Sequence, residues 1–107
     1  MILEVAILNI VPGEEVRFQD DFGRAQSIIA SMKGYASHQL QRCIETPSRY
    51  ILLVQWQALA DHTGFRESPR YQEWKNLLHH HYHPFPAVEH YELIFSSDGL
   101  LHTGGTQ

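Results

Sequence analysis

The segment 50–56, YILLVQW, constrains the fold of this chain more than any other feature. An uncharged run of this kind, without glycine or proline, is typical of a strand that is buried on both faces. Alternate side chains of a strand point to opposite faces, and both sets are apolar here: Tyr50, Leu52, Val54 and Trp56 against Ile51 and Leu53. The sequence therefore predicts a sheet with two apolar faces.

Segments on either side of this strand alternate between strand-like and helix-like patterns. The patterns predict strands over 2–11, 35–45 and 88–95, and helices over 14–32 and 58–66. A further helix begins at Ser68-Pro69, with serine as N-cap and proline in the first turn, and ends before Pro84. The order β-α-β-β-α-β, with a split second helix, predicts an α+β, ferredoxin-like fold with a four-stranded antiparallel sheet.

A stripe of apolar side chains on the first helix forms part of the predicted core: Phe18, Phe22, Ala25, Ile29 and Met32. On the short second helix, Leu59 and Phe65 share the predicted inner face with His62. The single cysteine, Cys43, lies in a strand-like run, and we expect it to be a small buried hydrophobe.

Composition excludes several classes of protein. The chain has 107 residues and is 43% hydrophobic, enough for one core, and its net charge of −4 lacks the basic footprint of a nucleic-acid binder. No apolar run approaches the roughly 20 residues of a membrane span, and Glu4 interrupts the N-terminal run that a signal peptide would need. We expect a cytoplasmic domain over 1–95, followed by a loose tail over 96–107 that could also cross to a partner subunit.

The second apolar face of the sheet predicts a partner. Two helical regions can cover only one face of a four-stranded sheet, and soluble monomers rarely leave a large apolar patch in water. Packing two such sheets against each other removes the patch, and a two-fold homodimer is the commonest arrangement. The sequence therefore predicts a homodimer.

The stretch from Trp56 to Tyr91 resembles the antibiotic biosynthesis monooxygenase (ABM) family. The resemblance consists of a strand ending in Trp56, a short helix carrying His62, and Ser68-Pro69 followed by aromatic residues, and the element order extends it over about residues 1–95. It implies a dimeric α/β barrel with a pocket between the helices and the sheet of each subunit. Members include oxygenases that act on quinol-like or anthrone-like aromatics without metal or flavin, and others degrade haem or have no assigned activity.

Several residues of the split helix are candidates for a functional site. His62 could accept a phenolic proton, because histidine titrates near neutral pH, or it could be a hydrogen-bonded residue at the edge of the core. Phe65, Tyr71 and Trp74 could stack on an aromatic substrate, although core packing is the commoner use of such spacing. Arg66 could hold an oxyanion or simply be solvated.

Other histidines are weaker candidates. His38 and His90, in the second and fourth strands, could contact substrate or lie in the dimer interface, and structural hydrogen bonding is the favoured interpretation. The run 79–83, HHHYH, invites a metal site, since His79 and His83 would share a helical face. No acidic or cysteine ligand has a matching spacing nearby, and histidine is favoured at a helix C-terminus anyway. We therefore predict no physiological metal.

The leading hypothesis is a cofactor-independent monooxygenase that uses O₂ to oxidise a small, electron-rich aromatic substrate, with His62 as base. The alternatives are a non-catalytic dimeric module that binds an aromatic or haem-like ligand as sensor or carrier, and a haem-degrading-type oxygenase. The haem-degrading branch combines Asn, Trp and His, whereas this chain has Phe65 at the Trp position and Lys75 near the His position, with Asn9 as the candidate Asn. This departure argues against haem degradation.

Overall fold

A computed structural model describes residues 1–97 and confirms the ferredoxin-like α+β fold. The elements follow the predicted order, with one 3₁₀ turn, His79–His81, after the last helix. They are β1 Ile2–Asn9, α1 Glu15–Ala30, β2 Tyr35–Arg42, β3 Arg49–Trp56, α2 Leu59–Arg66, α3 Pro69–Leu78 and β4 Val88–Glu92. The four strands are antiparallel neighbours in the order β2-β3-β1-β4.

The helices cover one face of the sheet, and alternation along the strands fixes which residues meet them. The even-numbered residues from Glu4 to Leu8 in β1 and from Tyr50 to Trp56 in β3 are buried, and all of them except Glu4 pack with the predicted α1 residues Phe18, Phe22, Ala25 and Ile29 into one core. Ile28 of α1 joins this core as well. The core therefore lies between the sheet and the helices, as the spacing of apolar residues predicts.

The opposite face of the sheet is apolar and has no helix against it in the described residues. Val5 lies opposite Leu53, and Ile7 lies opposite Ile51, so the outward side chains of β1 and β3 form paired apolar rows. These four residues are half-buried or exposed, and Ile7 is 41% exposed. The predicted second apolar face is thus present in the single chain.

The last strand is shorter than predicted. It ends at Glu92 rather than Phe95, because Glu92 already lies opposite Ile2 and β1 offers only Met1 beyond that point. Leu93, Ile94 and Phe95 follow without regular structure and are exposed. The predicted tail 96–107 falls mainly outside the described residues, since the description stops at residue 97.

Two local predictions were wrong in detail. β2 ends at Arg42, so Cys43 lies in the following turn, where its half-buried Sγ accepts a hydrogen bond from the Thr46 amide at 3.3 Å. Leu59 is 50% exposed because it lies in the first turn of α2, before the helix reaches the core. By contrast, the predicted N-cap position of Ser68 in α3 is confirmed, and its hydroxyl donates a hydrogen bond to the Phe65 carbonyl at 2.7 Å.

Gly34 sets the geometry between α1 and β2. It has φ of +83°, which favours glycine, and a Cβ at this position would collide with the side chain of Asp61. The close approach brings the start of α2 next to the end of α1.

No helix among the described residues is long and apolar enough to cross a membrane.

Candidate functional site

A cavity lies between the inner face of the sheet and the split helix α2–α3. Five of the predicted site residues line it: His62, Phe65, Arg66, Tyr71 and Trp74. The sheet contributes inward-facing residues of β1 and β3, and the segment after the 3₁₀ turn contributes Phe85 and Pro86 at the mouth. The structure therefore gathers most of the residues that the sequence singled out.

His62 is held in the wall of this cavity by contacts on three sides. Its ring stacks on the Trp56 indole, with centroids 5.5 Å apart and planes inclined by 20°. Its Nδ1 lies 2.7 Å from Nε2 of His90, and its Nε2 lies 3.3 Å from Oε1 of Glu4. Burial, followed by the charges of His90 and Arg66, lowers the pKa of His62 to about 4, so the imidazole is neutral at pH 7.

Glu4 is the site residue that sequence reasoning missed. It is only 6% exposed, it lines the cavity, and its Oε1 accepts a hydrogen bond from the Trp56 indole Nε1 at 2.9 Å. Burial raises the pKa of Glu4, although the hydrogen bond from Trp56 and the positive charge of Arg66 lower it by smaller amounts. A charged residue at an inward position of an otherwise apolar strand was the signal that could have found it.

His90 reaches the site through strand register. It lies directly opposite Glu4 in the β1–β4 pair, so both side chains point to the helix-covered face. His90 is exposed whereas His62 is 5% exposed. The three side chains thus form a continuous polar chain, His90–His62–Glu4, from solvent to the cavity.

His38 lies outside this cavity. Its Nδ1 is 2.6 Å from the Tyr35 hydroxyl and its Nε2 is 2.8 Å from Oε1 of Gln26, so both ring nitrogens are hydrogen-bonded. It lines a separate groove between α1 and β2. This placement agrees with the structural role that the sequence favoured for it.

Neutral polar groups form the other end of the cavity. The Tyr71 hydroxyl lies 3.5 Å from Nε2 of His79, and Tyr82 lines the same wall. Burial raises the pKa of both Tyr71 and Tyr82, and burial together with the positive charge of Lys75 lowers the pKa of His79 to about 4. Around neutral pH these phenols and this imidazole are therefore uncharged.

The aromatic candidates are packed mainly against one another. The ring centroid of Phe65 lies 5.3 Å from that of Tyr71 and 5.8 Å from that of Trp74, and both pairs are nearly edge to face. Phe65 is 2% exposed and Trp74 is 5% exposed. These rings therefore pack in the core and also line the cavity.

The cavity is small in this conformation. Its free volume is about 40 Å³, which holds a few water molecules but no aromatic ring. Phe85, at the mouth, is 58% exposed and lies in the irregular segment 83–87. An aromatic ligand can therefore enter only after part of this lining has moved.

The histidine run does not form the helical pair that its spacing suggests. The α-helix ends at Leu78, so His79 and His83 do not share a helical face. His79 lines the cavity, His81 is buried against α1, and His80 and His83 are exposed. Among the described residues, the one group with metal-ligand spacing is Asp21, His80 and His81, outside the cavity.

A family model and a curated protein each match most of the chain. The family model described as "Antibiotic biosynthesis monooxygenase" matches residues 1–77. An uncharacterized protein from Bacillus subtilis strain 168, YczJ, is 53% identical over 93 residues, which cover 86% of this chain and 98% of that protein. The family match spans the strand, short helix and Ser-Pro motif on which the sequence resemblance rests.

Solved structures share the fold. A provisionally assigned antibiotic biosynthesis monooxygenase from Bordetella bronchiseptica is 32% identical, with a TM-score of 0.84 over 88% of this chain and 97% of that chain. SnoaB from Streptomyces nogalater, described as a cofactor-independent oxygenase, has a TM-score of 0.71 over 91% of this chain and 94% of that chain. It is 16% identical, so its likeness concerns the fold alone.

Proposed function

Because the chain belongs to the antibiotic biosynthesis monooxygenase family, we propose that it oxidises a small, electron-rich aromatic compound with O₂ and without a bound cofactor. A quinol or an anthrone is the substrate class that fits best. SnoaB, which has the same fold, is described as a cofactor-independent oxygenase. The observation that carries the proposal is the polar chain His90–His62–Glu4, which ends in a cavity lined by aromatic side chains.

The first chemical step is removal of a phenolic or carbon-acid proton. Glu4 is the better acceptor, because burial raises its pKa and makes its carboxylate more basic than a solvated one. Glu4 can then give this proton to Nε2 of His62, while Nδ1 of His62 gives its own proton to Nε2 of His90. His62 is therefore assigned a relay role beside the base, a refinement of the direct role predicted from sequence.

The oxidation needs no external reductant, because the substrate supplies all the electrons. The substrate anion passes one electron to O₂, and the resulting radical and superoxide combine to form a carbon–oxygen bond. The peroxide takes up a proton and then loses water, which leaves a carbonyl group. For an anthrone the balance is CH₂ + O₂ → C=O + H₂O, with one oxygen atom in the product and one in water.

The protein contributes proton transfer, orientation and exclusion of water. Phe65, Tyr71 and Trp74 present ring edges and faces to a planar ligand once the segment 83–87 moves out. Arg66, which also lines the cavity, brings positive charge to the substrate anion. The uncharged state of His79 and Tyr82 leaves the far wall suited to an apolar ring.

Oxygen uptake tests the proposal. The purified protein is incubated with a panel of quinols and anthrones, and O₂ consumption is followed together with product formation. We expect turnover with at least one member, and a fall in kcat of about 100-fold for Glu4→Gln, which removes the base but keeps an acceptor for Trp56. Glu92→Gln, an exposed acid on β4, is the matched control and should keep full activity.

Three results would change the conclusion. Tight binding of panel members without O₂ uptake would favour the non-catalytic ligand-binding module. Full activity in Glu4→Gln would remove the Glu4 carboxylate from the mechanism, and unchanged turnover in His62→Gln would remove the relay.

We also propose that the outer face of the sheet packs on a second copy of this chain. The face is apolar along both central strands, and it has no covering element in the described residues. A two-fold homodimer pairs this face with itself and buries Val5 and Leu53 at its centre. In sedimentation velocity at micromolar concentration, the parent protein should sediment as a dimer and Leu53→Lys as a monomer. A parent protein that sediments as a monomer would contradict the proposed dimer.

A further inference from the structure

We propose that Asp21, His80 and His81 form a binding site for one divalent transition-metal ion, with zinc as the best match. One ligand atom from each of the three side chains lies within 4.8 Å of the others. Two imidazole nitrogens and one carboxylate oxygen are a donor set that zinc accepts, with the fourth position left for water. The site joins α1 to the 3₁₀ turn after α3, so it is separate from the cavity.

The acidic ligand comes from a distant part of the chain. Asp21 lies on α1, 60 residues before His81, and its Oδ2 is 2.7 Å from Nε2 of His81. The sequence argument against a metal at the histidine run was the lack of an acidic residue at suitable spacing. The fold supplies that residue, because α1 packs beside the end of α3.

The surroundings of His81 favour a metal on its Nε2. His81 is 1% exposed, and its buried Nδ1 has no hydrogen-bond partner among the described residues. The nearest carboxylate oxygen, Oε1 of Glu14, lies 3.4 Å from that Nδ1. A metal on Nε2 would require the proton to sit on Nδ1, directed at Glu14, and metal-bound histidines usually donate their second N–H to such a carboxylate.

The other two ligands can adjust to an ion. His80 is exposed, and its ring centroid is 4.0 Å from that of His81, so a small rotation brings a nitrogen to the site. Asp21 also accepts a hydrogen bond from Arg24 at 2.7 Å, which competes with a cation. The Arg24 side chain is 66% exposed, and an exposed ion pair of this kind is weak enough to open.

An ion here would fix the position of the 3₁₀ turn. The His81 carbonyl already accepts a hydrogen bond from the Val11 amide at 2.9 Å. The irregular segment that carries Phe85 begins two residues after this turn. A bound ion therefore stabilises the anchor of the segment that closes the cavity, without taking part in the oxidation.

Binding of Zn²⁺ alone tests the site. Untagged, full-length protein is treated with chelator, and Zn²⁺ is added in a calorimetric titration, with Co²⁺ absorption as a spectroscopic check. We expect one ion per chain, a tetrahedral Co²⁺ spectrum and a rise in Tm on binding. His80→Ala and Asp21→Asn should each weaken binding by tenfold or more, and Glu14→Gln by a smaller factor.

Matched controls separate this site from other histidines. His83→Ala, from the same run, and His38→Ala, from the α1–β2 groove, should bind Zn²⁺ like the parent protein. Because His80 is exposed, His80→Ala keeps the fold and decides the question even if Asp21→Asn unfolds. No binding at 100-fold excess over protein would overturn the proposal and leave His81 as a structural histidine between two carboxylates. Zn²⁺ binding that His80→Ala leaves unchanged would overturn it as well.

Discussion

Acidification should destabilise this protein through His62. The pKa of His62 is about 4 in the folded state and about 6.5 in an unfolded chain. Between these values the unfolded state binds a proton that the folded state does not, so the free energy of unfolding falls as pH drops. Integrating from pH 7 to pH 5 gives a loss of about 2 kcal/mol from this one residue.

Urea denaturation at fixed protein concentration measures the effect. The free energy of unfolding is determined at pH 7 and pH 5 for the parent protein, for His62→Gln and for His83→Gln, an exposed control. Glu4 acts in the opposite direction, because its raised pKa makes the folded state bind protons more readily. We therefore compare, for each protein, the loss of unfolding free energy between pH 7 and pH 5. This loss should be smaller in His62→Gln than in the parent protein by about 2 kcal/mol.

If His62→Gln keeps the full pH dependence of the parent protein, His62 is not the source of the acid sensitivity. NMR gives an independent reading, since the His62 ring resonances should titrate near pH 4. Titration of His62 near pH 6.5 would mean that its ring is solvated, and the relay would then lack its buried link.

Three further predictions follow from single contacts. Gly34→Ala should lower the free energy of unfolding, measured in urea, by about 1–3 kcal/mol, because Gly34 has a positive φ and a Cβ there would collide with Asp61. Gly23→Ala, on α1 with open space around it, should raise the free energy of unfolding by about 0.5–1 kcal/mol. Similar effects at both sites would contradict the turn geometry at Gly34. Trp56→Phe should cost about 2–3 kcal/mol by leaving buried Glu4 without its indole donor, and it should raise the pKa of Glu4 further, which infrared titration of the carboxyl can follow. Phe85→Ala should speed association of an aromatic ligand in stopped-flow measurements, because Phe85 lies at the cavity mouth; an unchanged rate would place the entrance elsewhere.

The fold could be predicted because its determinants are local. On α1, the predicted apolar stripe is buried as its spacing indicates: Phe18, Phe22, Ala25 and Ile29. The two-sided apolar pattern of 50–56 predicts both the core face of the sheet and its second apolar face. The extent of the last strand could not be predicted in this way. It depends on where β1 ends opposite Glu92, which is a property of the paired strands and not of either segment.

The polar parts of the site depend on contacts between distant residues. His90 reaches His62 and Glu4 because β1 and β4 are neighbours in register, and no periodicity in either strand encodes that pairing. In the same way, Asp21 meets His81 only because α1 packs beside the end of α3. Sequence patterns identified His62 as a candidate, but the identity of its partners required the tertiary structure.

Isotopic labelling of the oxygen that enters the product tests whether this chain is a cofactor-independent monooxygenase. Chelator-treated, flavin-free protein is supplied with an anthrone under ¹⁸O₂ in unlabelled water, and the product is analysed by mass spectrometry. We predict one ¹⁸O atom in the new carbonyl group, formed at a rate that chelation does not change and that Glu4→Gln lowers. Product oxygen derived from water, or formation of product only after a metal or flavin is restored, would contradict cofactor-independent monooxygenation by this chain.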